Sequence, residues 1–345
     1  MRVRDNHHLA GVHAEIMIEA DRVSKNFGAV HAVDSVSIAV PRGTVLALLG
    51  HNGSGKTTLI NILTCAIPPS SGRASIAGFD VLAQPREVRK RLGLTGQFAS
   101  VDGGLSGREN LRLIARLLGA DRRTARARAD TLLEAFDLED VATRRAHTYS
   151  GGLRRRLDIA MSLVGQPEVV FLDEPTAGLD LPSRIMLWDT VEKLVAEGTT
   201  VLLTTQYLDE ADRLASTITV LSHGVVVASG TPAELKARAG QRRITIKLTT
   251  AEQTSTAMDW LTRAGLAPQM DRERNTIVLP ANAAEAIALV VTVLKQANVE
   301  AGELTFSPPS LDDVYLTIAA DSSGQAARLN RQPVAQQQGG AHGNA

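Results

Sequence analysis

Residues 50 to 57 read Gly50-His51-Asn52-Gly53-Ser54-Gly55-Lys56-Thr57. This is the pattern G-x-x-x-x-G-K-[ST], a loop that cradles the phosphates of a nucleoside triphosphate. Its glycines let the backbone curl so that successive N–H groups face anionic oxygens. Lys56 brings a point charge to the β- and γ-phosphates, and the Thr57 hydroxyl is suited to Mg²⁺. Thr58 follows directly and is grouped with the loop as nucleotide-binding. The alternative, an ordinary Gly-rich turn, leaves the lysine and the hydroxyl without a purpose.

A second group of residues complements the first. Val169-Val170-Phe171-Leu172-Asp173-Glu174 is an apolar run ending in two carboxylates. Asp173 stands where ligands of open α/β sheets bind, at a strand's C-terminal end, and is suited to hold Mg²⁺ directly or through water. Glu174, one residue on, points elsewhere, and a carboxylate there can polarise an attacking water. Tyr149-Ser150-Gly151-Gly152-Leu153 precedes a helical run starting Arg154-Arg155-Arg156. It reads as a second helix N-terminus with small residues and free N–H groups, another place where phosphate can bind. Taken singly, Asp-Glu is an acidic turn and Ser-Gly-Gly a plain turn.

The elements that must position these groups follow from pattern. Val45 to Leu49 is a short apolar run before the loop, as a buried strand would be, and Thr58 to Leu63 continues with helical spacing. Strand, loop and helix aim a helix N-terminus at phosphate. Further strands are expected at 16–20, 36–40, 74–77, 92–95, 168–172, 200–204 and 218–221. The later ones each follow a helical stretch, which predicts a largely parallel sheet with helices around it. From about Leu105 to Leu163 the pattern is helical and rich in arginine: Arg112, Arg116, Arg122, Arg123, Arg126, Arg128, Arg144, Arg145, Arg154, Arg155 and Arg156. That density is read as a solvated basic face; a docking face for another protein is the sharper alternative, and nucleic acid comes third because no aromatics interleave.

Beyond Gly240-Gln241-Arg242-Arg243 a second order is expected: strand 244–249, helix 251–264, strands 266–270 and 276–279, helix 283–296, strand 302–306. This β-α-β-β-α-β order is that of a split βαβ, or ferredoxin-like, unit. The domains are therefore an extension over 1–15, a nucleotide-binding α/β domain over 16–240 with a helical part at about 98–165, a small α+β domain over 241–320, and a tail over 321–345. The tail, rich in Gln, Gly, Ser and Ala, has the composition of disorder.

Bulk properties narrow the classes. A chain of 345 residues with 44 % hydrophobic content suits a packed core of one large or two ordinary domains. Formal net charge is zero and aromatics are 3 %, which gives no electrostatic or stacking case for nucleic acid. With Cys65 the only cysteine, no intramolecular disulfide can form. The segment 1–15 has no apolar core of a signal peptide, and the longest apolar helical candidate, 286–294, is too short for a bilayer. A membrane role is expected to come through a partner.

Phosphate loop, Ser-Gly-Gly helix start and strand-Asp-Glu, in that order, resemble the ATP-binding cassette (ABC) ATPases over roughly 16–236. The resemblance implies a P-loop NTPase fold of ABC type with a helical subdomain, and ATP and Mg²⁺ as ligands. It implies that Phe27 stacks on adenine and that Gln97 touches Mg²⁺ and senses a transmembrane partner. Ser150, Gly151 and Gly152 match the family's signature segment, Asp173 and Glu174 its metal and catalytic carboxylates, and Asp180 the loop that crosses between paired subunits. Two positions depart. Gln206 stands where the family usually has a histidine reaching the γ-phosphate; its amide donates a hydrogen bond but cannot carry a proton charge. Leu153 replaces the usual signature Gln.

The Tyr149–Arg156 segment, Thr205 to Asp212, and Pro309 to Tyr315 resemble the daunorubicin-resistance type of exporter ATPase. That implies a separate ATPase chain, paired as a homodimer or pseudo-dimer beneath ABC-2 type permease subunits at the cytoplasmic face of the membrane. It implies a drug-like or lipid-like cargo, with antibiotic resistance as one outcome. The alternative is a soluble, non-transport ABC ATPase; no coiled-coil insert lies between Gln97 and Ser150, and only one phosphate loop is present.

Overall fold

Five-residue apolar runs such as Val45–Leu49 and Val169–Asp173 are buried at every position, the mark of strands covered on both faces. The computed structural model describes residues 15–96, 101–238, 242–271, 275–280, 285–307, 310, 311 and 314. The chain divides into two units, Met1–Pro232 and Ala233–Ala345.

The first unit opens with the long hairpin β1 (Ile16–Phe27) and β2 (Val30–Pro41), followed by β3 (Val45–Leu49) and helix α1 (Lys56–Leu63). Next come β4 (Ser71–Ile76), β5 (Phe79–Asp80), α2 (Pro85–Arg91) and β6 (Leu92–Thr95). Helices α3 (Gly107–Leu117), α4 (Arg122–Ala135) and α5 (Gly151–Ser162) make the helical part. The unit continues with β7 (Val169–Asp173), α6 (Leu181–Ala196), β8 (Thr200–Thr205), α7 (Leu208–Leu214), β9 (Thr217–Ser222) and β10 (Val225–Gly230). A short helix α8 (Pro232–Arg238) follows.

Two sheets result. One has the order β10-β9-β3-β8-β7-β6 and is parallel except for the β9/β10 edge. The other is antiparallel, β2-β1-β4-β5. The parallel sheet matches the alternation in the sequence. The antiparallel sheet departs from it: strands expected at 16–20 and 36–40 extend through polar residues to Phe27 and back to Val30. Their pairing, Val23 with Val36 and Phe27 with Val30, carries the hairpin past the apolar stretches. One buried cluster joins the sheets, including Met17, Ile18, Val36, Leu46, Leu48, Leu59, Ile62, Ile76, Phe171 and Leu202.

The basic helical stretch is not a uniformly solvated face. Arg128 turns inward to donate to Leu163 O at 2.6 Å, and Arg156 donates to Phe136 O at 3.1 Å. Each guanidinium donates to a carbonyl at a helix C-terminus, where the helical ladder runs out of donors, and a lysine-like point charge would do this less well. At the start of α3, Ser106 and Glu109 form a reciprocal capping box.

The second unit runs β11 (Arg243–Leu248), α9 (Ala251–Arg263), β12 (Gln269–Asp271), β13 (Thr276–Pro280), α10 (Glu285–Gln296) and β14 (Ala301–Ser307). Its sheet is antiparallel in the order β12-β13-β11-β14. Ile244, Ile246, Ile277 and Leu279 meet Ala257, Leu261, Val290 and Val293 in its own core. The element order is the expected one. The third element begins later than expected because α9 ends on Gly265 at φ 79°, and Leu266 N–H donates back to Leu261 O, using those residues for the helix exit.

Candidate functional site

Strands β3, β8 and β7 lie side by side and parallel, with Leu49 opposite Thr205 and Asp173 opposite Thr204. Their C-terminal ends therefore open on one edge. The segments that leave them are Gly50–Thr57, Gln206 and Glu174, so topology alone gathers residues more than 100 positions apart.

The phosphate loop curls through Gly53 at φ 81° and Gly55 at φ 107°. A Cβ at Gly55 would sit 2.5 Å from Ala32 O, so both space and φ demand glycine there. Lys56 opens α1, is 6 % exposed, and donates from Nζ to Gly50 O at 2.7 Å and His51 O at 3.2 Å. Burial pulls its ammonium below the ordinary lysine range, opposed by the negative charges of Glu174 and Asp173. Ser54 is buried, and its hydroxyl has no hydrogen-bond partner among the described residues. Thr57 is exposed and Thr58 half-buried at the helix start. The His51 and His223 rings lie 5.1 Å apart beside the loop, and Gly224 N–H donates to Ser54 O at 3.0 Å.

Asp173 is 5 % exposed and accepts from the Thr204 hydroxyl at 2.5 Å. The same hydroxyl accepts from Glu174 N–H at 3.0 Å. Glu174 has φ 47°, a left-handed backbone that a non-glycine residue adopts at a cost on the order of 1–3 kcal/mol. Gln206 Nε2 donates to Asn52 Oδ1 at 2.9 Å and to Glu174 Oε1 at 2.8 Å. The loop, the acidic pair and Gln206 are thus one hydrogen-bonded constellation.

The other expected residues stand nearby in sequence terms but do separate work. Ser150 caps α5, accepting from Leu153 N–H at 3.3 Å; it is exposed, and a Cβ at Gly151 would meet nothing within 4 Å among the described residues. A Cβ at Gly152 would approach Ser183 Oγ to 2.8 Å, so α5 and α6 pack closely there. Asp180 caps α6 through Ser183 N–H at 3.3 Å; the hydrogen bonds from Ser183 hold its carboxyl below the usual range. One turn into α6, Arg184 stacks on Tyr207 at 4.4 Å and pairs with Asp209 at 2.9 Å, tying α6 to the segment after Gln206. Phe27 is 52 % exposed at the end of β1, with Lys25 Nζ 5.3 Å from its ring. Gln97 lies outside the described residues.

Oxygen donors suit Mg²⁺, which takes one or two protein groups and otherwise phosphate oxygens and water. Among the described residues no group of three or more His, Cys, Asp or Glu gathers as a metal cage. The Thr57 hydroxyl and the Asp173 carboxylate, hard and next to the lysine loop, fit that ion.

Sequence reading did not single out Thr204, Arg155 or His223. The first looks like one more β-branched strand residue and the second like one more arginine on a basic helix. Only the pairing of Thr204 with Asp173 across adjacent strands would have distinguished it.

The profile of the ABC transporter family matches residues 33–177. Daunorubicin resistance ATP-binding protein DrrA3 of Streptomyces coeruleorubidus is 46 % identical over 309 residues, spanning 89 % of this chain and 97 % of that protein. The chain belongs to the ABC transporter ATP-binding proteins of the daunorubicin-resistance type. A further relative of this ABC ATPase is doxorubicin resistance ATP-binding protein DrrA of Mycobacterium tuberculosis, 42 % identical over 91 % of this chain and 96 % of that one. Nod factor export ATP-binding protein I of Paraburkholderia xenovorans is 39 % identical over 64 % of this chain and 73 % of that protein. Among solved structures, cbiO1 of Clostridium perfringens, part of the cbiONQ ABC transporter complex, is similar with a TM-score of 0.61 at 26 % identity, covering 65 % of this chain and 91 % of that one. An ATP-binding cassette solved as a dimer in a post-hydrolysis state, bound to ADP and Pi, gives a TM-score of 0.58 at 25 % identity, covering 62 % and 98 %. The α/β fold is that of the ABC-type P-loop NTPases, and the ABC ATPase is an ATP-hydrolysing transporter subunit. Among the described residues, no helix is long and apolar enough to cross a membrane; association with the membrane follows from membership of a transporter.

Proposed function

We propose that this chain powers an ABC-2 type exporter, hydrolysing ATP between two copies paired head to tail. Each ATP lies between the phosphate loop of one copy and Ser150-Gly151-Gly152 of the other. The observation that carries this reading is the pair of helix N-termini suited to phosphate, at α1 and α5, of which only α1 has a lysine. The second tip is exposed at Ser150 and open at Gly151. The dimeric, ADP-bound relative in structure supports pairing, and the daunorubicin- and doxorubicin-resistance names of the relatives support a drug-like cargo, a lipid-like one being the alternative.

Within each site, Gly50 to Thr58 hold the phosphates and Phe27 stacks on adenine. The Thr57 hydroxyl and the Asp173 carboxylate would hold Mg²⁺, with Gln97 as a further oxygen donor by resemblance to the family, and the ion would supply positive charge beside the phosphates. Glu174 activates the attacking water, and Gln206 aligns Glu174 and the γ-phosphate side of the loop. Asp180 faces the twin subunit. ATP stabilises the pair, and pairing raises ATP affinity by the same factor. Loss of the γ-phosphate removes contacts and lets the halves part. Separate permease subunits, bound at the cytoplasmic face, turn this cycle into transport. The nucleotide-binding domain spans 16–240, and the small domain over 241–320 is an accessory domain of ferredoxin-like type.

The test is the mass of the Glu174→Gln chain in MgATP, measured by light scattering across concentration. A nucleotide-dependent dimer is expected; a monomer at every concentration would sink the shared-site reading.

A further inference from the structure

Arg155 lies on α5, five residues beyond Ser150, and its side chain is 10 % exposed. It donates from Nε to Pro175 O at 2.9 Å and from Nη2 to Asp173 O at 2.8 Å. From Nη1 it donates to Gly96 O at 2.8 Å and Asp158 Oδ2 at 3.2 Å. Asp173 and Pro175 are the two neighbours of Glu174. One planar guanidinium therefore grips both carbonyls that flank the acidic residue.

Glu174 needs such a grip. Its left-handed backbone, at φ 47°, persists only where the surroundings over-determine it. On one side its N–H is held by Thr204 O at 3.1 Å and Thr204 Oγ1 at 3.0 Å. On the other the guanidinium fixes the carbonyls before and after it. The buried Asp158 carboxylate, 3 % exposed, supplies the countercharge that lets a cation sit here. Burial still pulls the guanidinium below its ordinary range, as expected for a cation spending its charge on neutral carbonyls.

We propose that Arg155 is a positioning residue for hydrolysis: it sets the backbone of Glu174, and so the aim of its carboxylate, from the helix that begins at Ser150. This rests on the reading of Glu174 as the group that activates water. A lysine cannot replace it, because one ammonium on a flexible stem does not span two carbonyls in a fixed fork. The same guanidinium also reaches Gly96 O, just after β6, so one anchor ties α5 to the ends of β6 and β7.

The experiment compares the full chain with Arg155→Lys and Arg155→Gln, alongside Glu174→Gln, by phosphate release against MgATP concentration. Affinity for a fluorescent ADP analogue and the thermal midpoint are measured on each. Arg155→Lys is expected to lower kcat about tenfold or more, because small misplacements of a reacting group cost that much. Its KM and its ADP-analogue affinity are expected to stay within threefold of wild type. A kcat within twofold of wild type, with Glu174→Gln inactive, overturns the role of Arg155 and leaves that of Glu174 standing. Near-normal turnover in Glu174→Gln overturns the underlying reading instead. A parallel fall of kcat and analogue affinity marks Arg155 as a fold residue only and also overturns the inference. Should Arg155→Lys not fold, Arg155→Gln decides by the same criteria.

Discussion

Gln206 donates from Nε2 to Glu174 Oε1 at 2.8 Å, and from the same nitrogen to Asn52 Oδ1 at 2.9 Å. The side chain that replaces the family's usual histidine thus joins the acidic residue after β7 to the loop after β3. An amide does this without changing charge between pH 5 and 8, whereas an imidazole titrates there.

Removing that link leaves Glu174 free to rotate. Gln206→Ala is expected to lower kcat by about tenfold through lost alignment, and Gln206→His to recover most of it by restoring one donor. Phosphate release by the three proteins under saturating MgATP is the measurement. Equal turnover in all three would make this position a bystander.

Thr204 holds both acidic residues, donating to Asp173 Oδ1 at 2.5 Å and accepting from Glu174 N–H at 3.0 Å. Thr204→Val keeps the shape and strips the hydroxyl. It leaves a buried carboxylate short of a donor, at a cost of about 1–3 kcal/mol. A lower urea midpoint with unchanged slope is expected, together with slower hydrolysis. An unchanged midpoint would show that Asp173 finds another donor.

Gly55→Ala places a methyl 2.5 Å from Ala32 O on a backbone at φ 107°. The loop must then shift, with strain on the order of 1–3 kcal/mol. Affinity for a fluorescent ATP analogue is expected to fall by more than about tenfold, while the core packed around Leu46 and Phe171 stays folded by circular dichroism. Retained affinity would mean that the loop tolerates a side chain where the geometry leaves no room.

Acid should loosen the helical part by a route that can be isolated. The Ser106 N–H and hydroxyl, both at 2.8 Å, hold the Glu109 carboxyl below its ordinary value of 4.5. A carboxyl depressed by folding adds stability above the unfolded value and loses it as pH falls through the lower folded value. Wild type should therefore lose urea resistance below about pH 4.5 partly through this group. Glu109→Gln keeps an acceptor for the cap but cannot titrate, so its midpoint should vary less between pH 7 and 3. Identical pH profiles would show that the capping carboxylate contributes nothing.

The chemical parts and most of the elements can be read from local pattern. The spacing of Gly50, Gly55, Lys56 and Thr57 is local, as are the apolar run ending in Asp173-Glu174 and the helix start at Ser150. Each can be read because a loop or a cap depends on residues within a few positions of one another. The order of elements in the second unit was legible for the same reason: periodicities of 2 and 3.6 change where strands give way to helices. Gln97, all but the last residue of the extension over 1–15, and the tail over 321–345 fall outside the described residues.

Which residues stand beside one another is settled by long-range packing. Strand β8 lies between β3 and β7, and that order, which no local pattern encodes, brings Gln206 to Asn52 and Glu174. The antiparallel sheet is built by pairing past the apolar stretches, so polar residues such as Asp21 and Ser24 enter it through partners far along the chain. Arg155 looks like any other member of a run of arginines until the fold buries its side chain against Asp173 and Pro175. Periodicity records which face of a helix is apolar. It does not record that a charged side chain will find carbonyls to satisfy, because those carbonyls arrive from strand ends fixed by long-range packing.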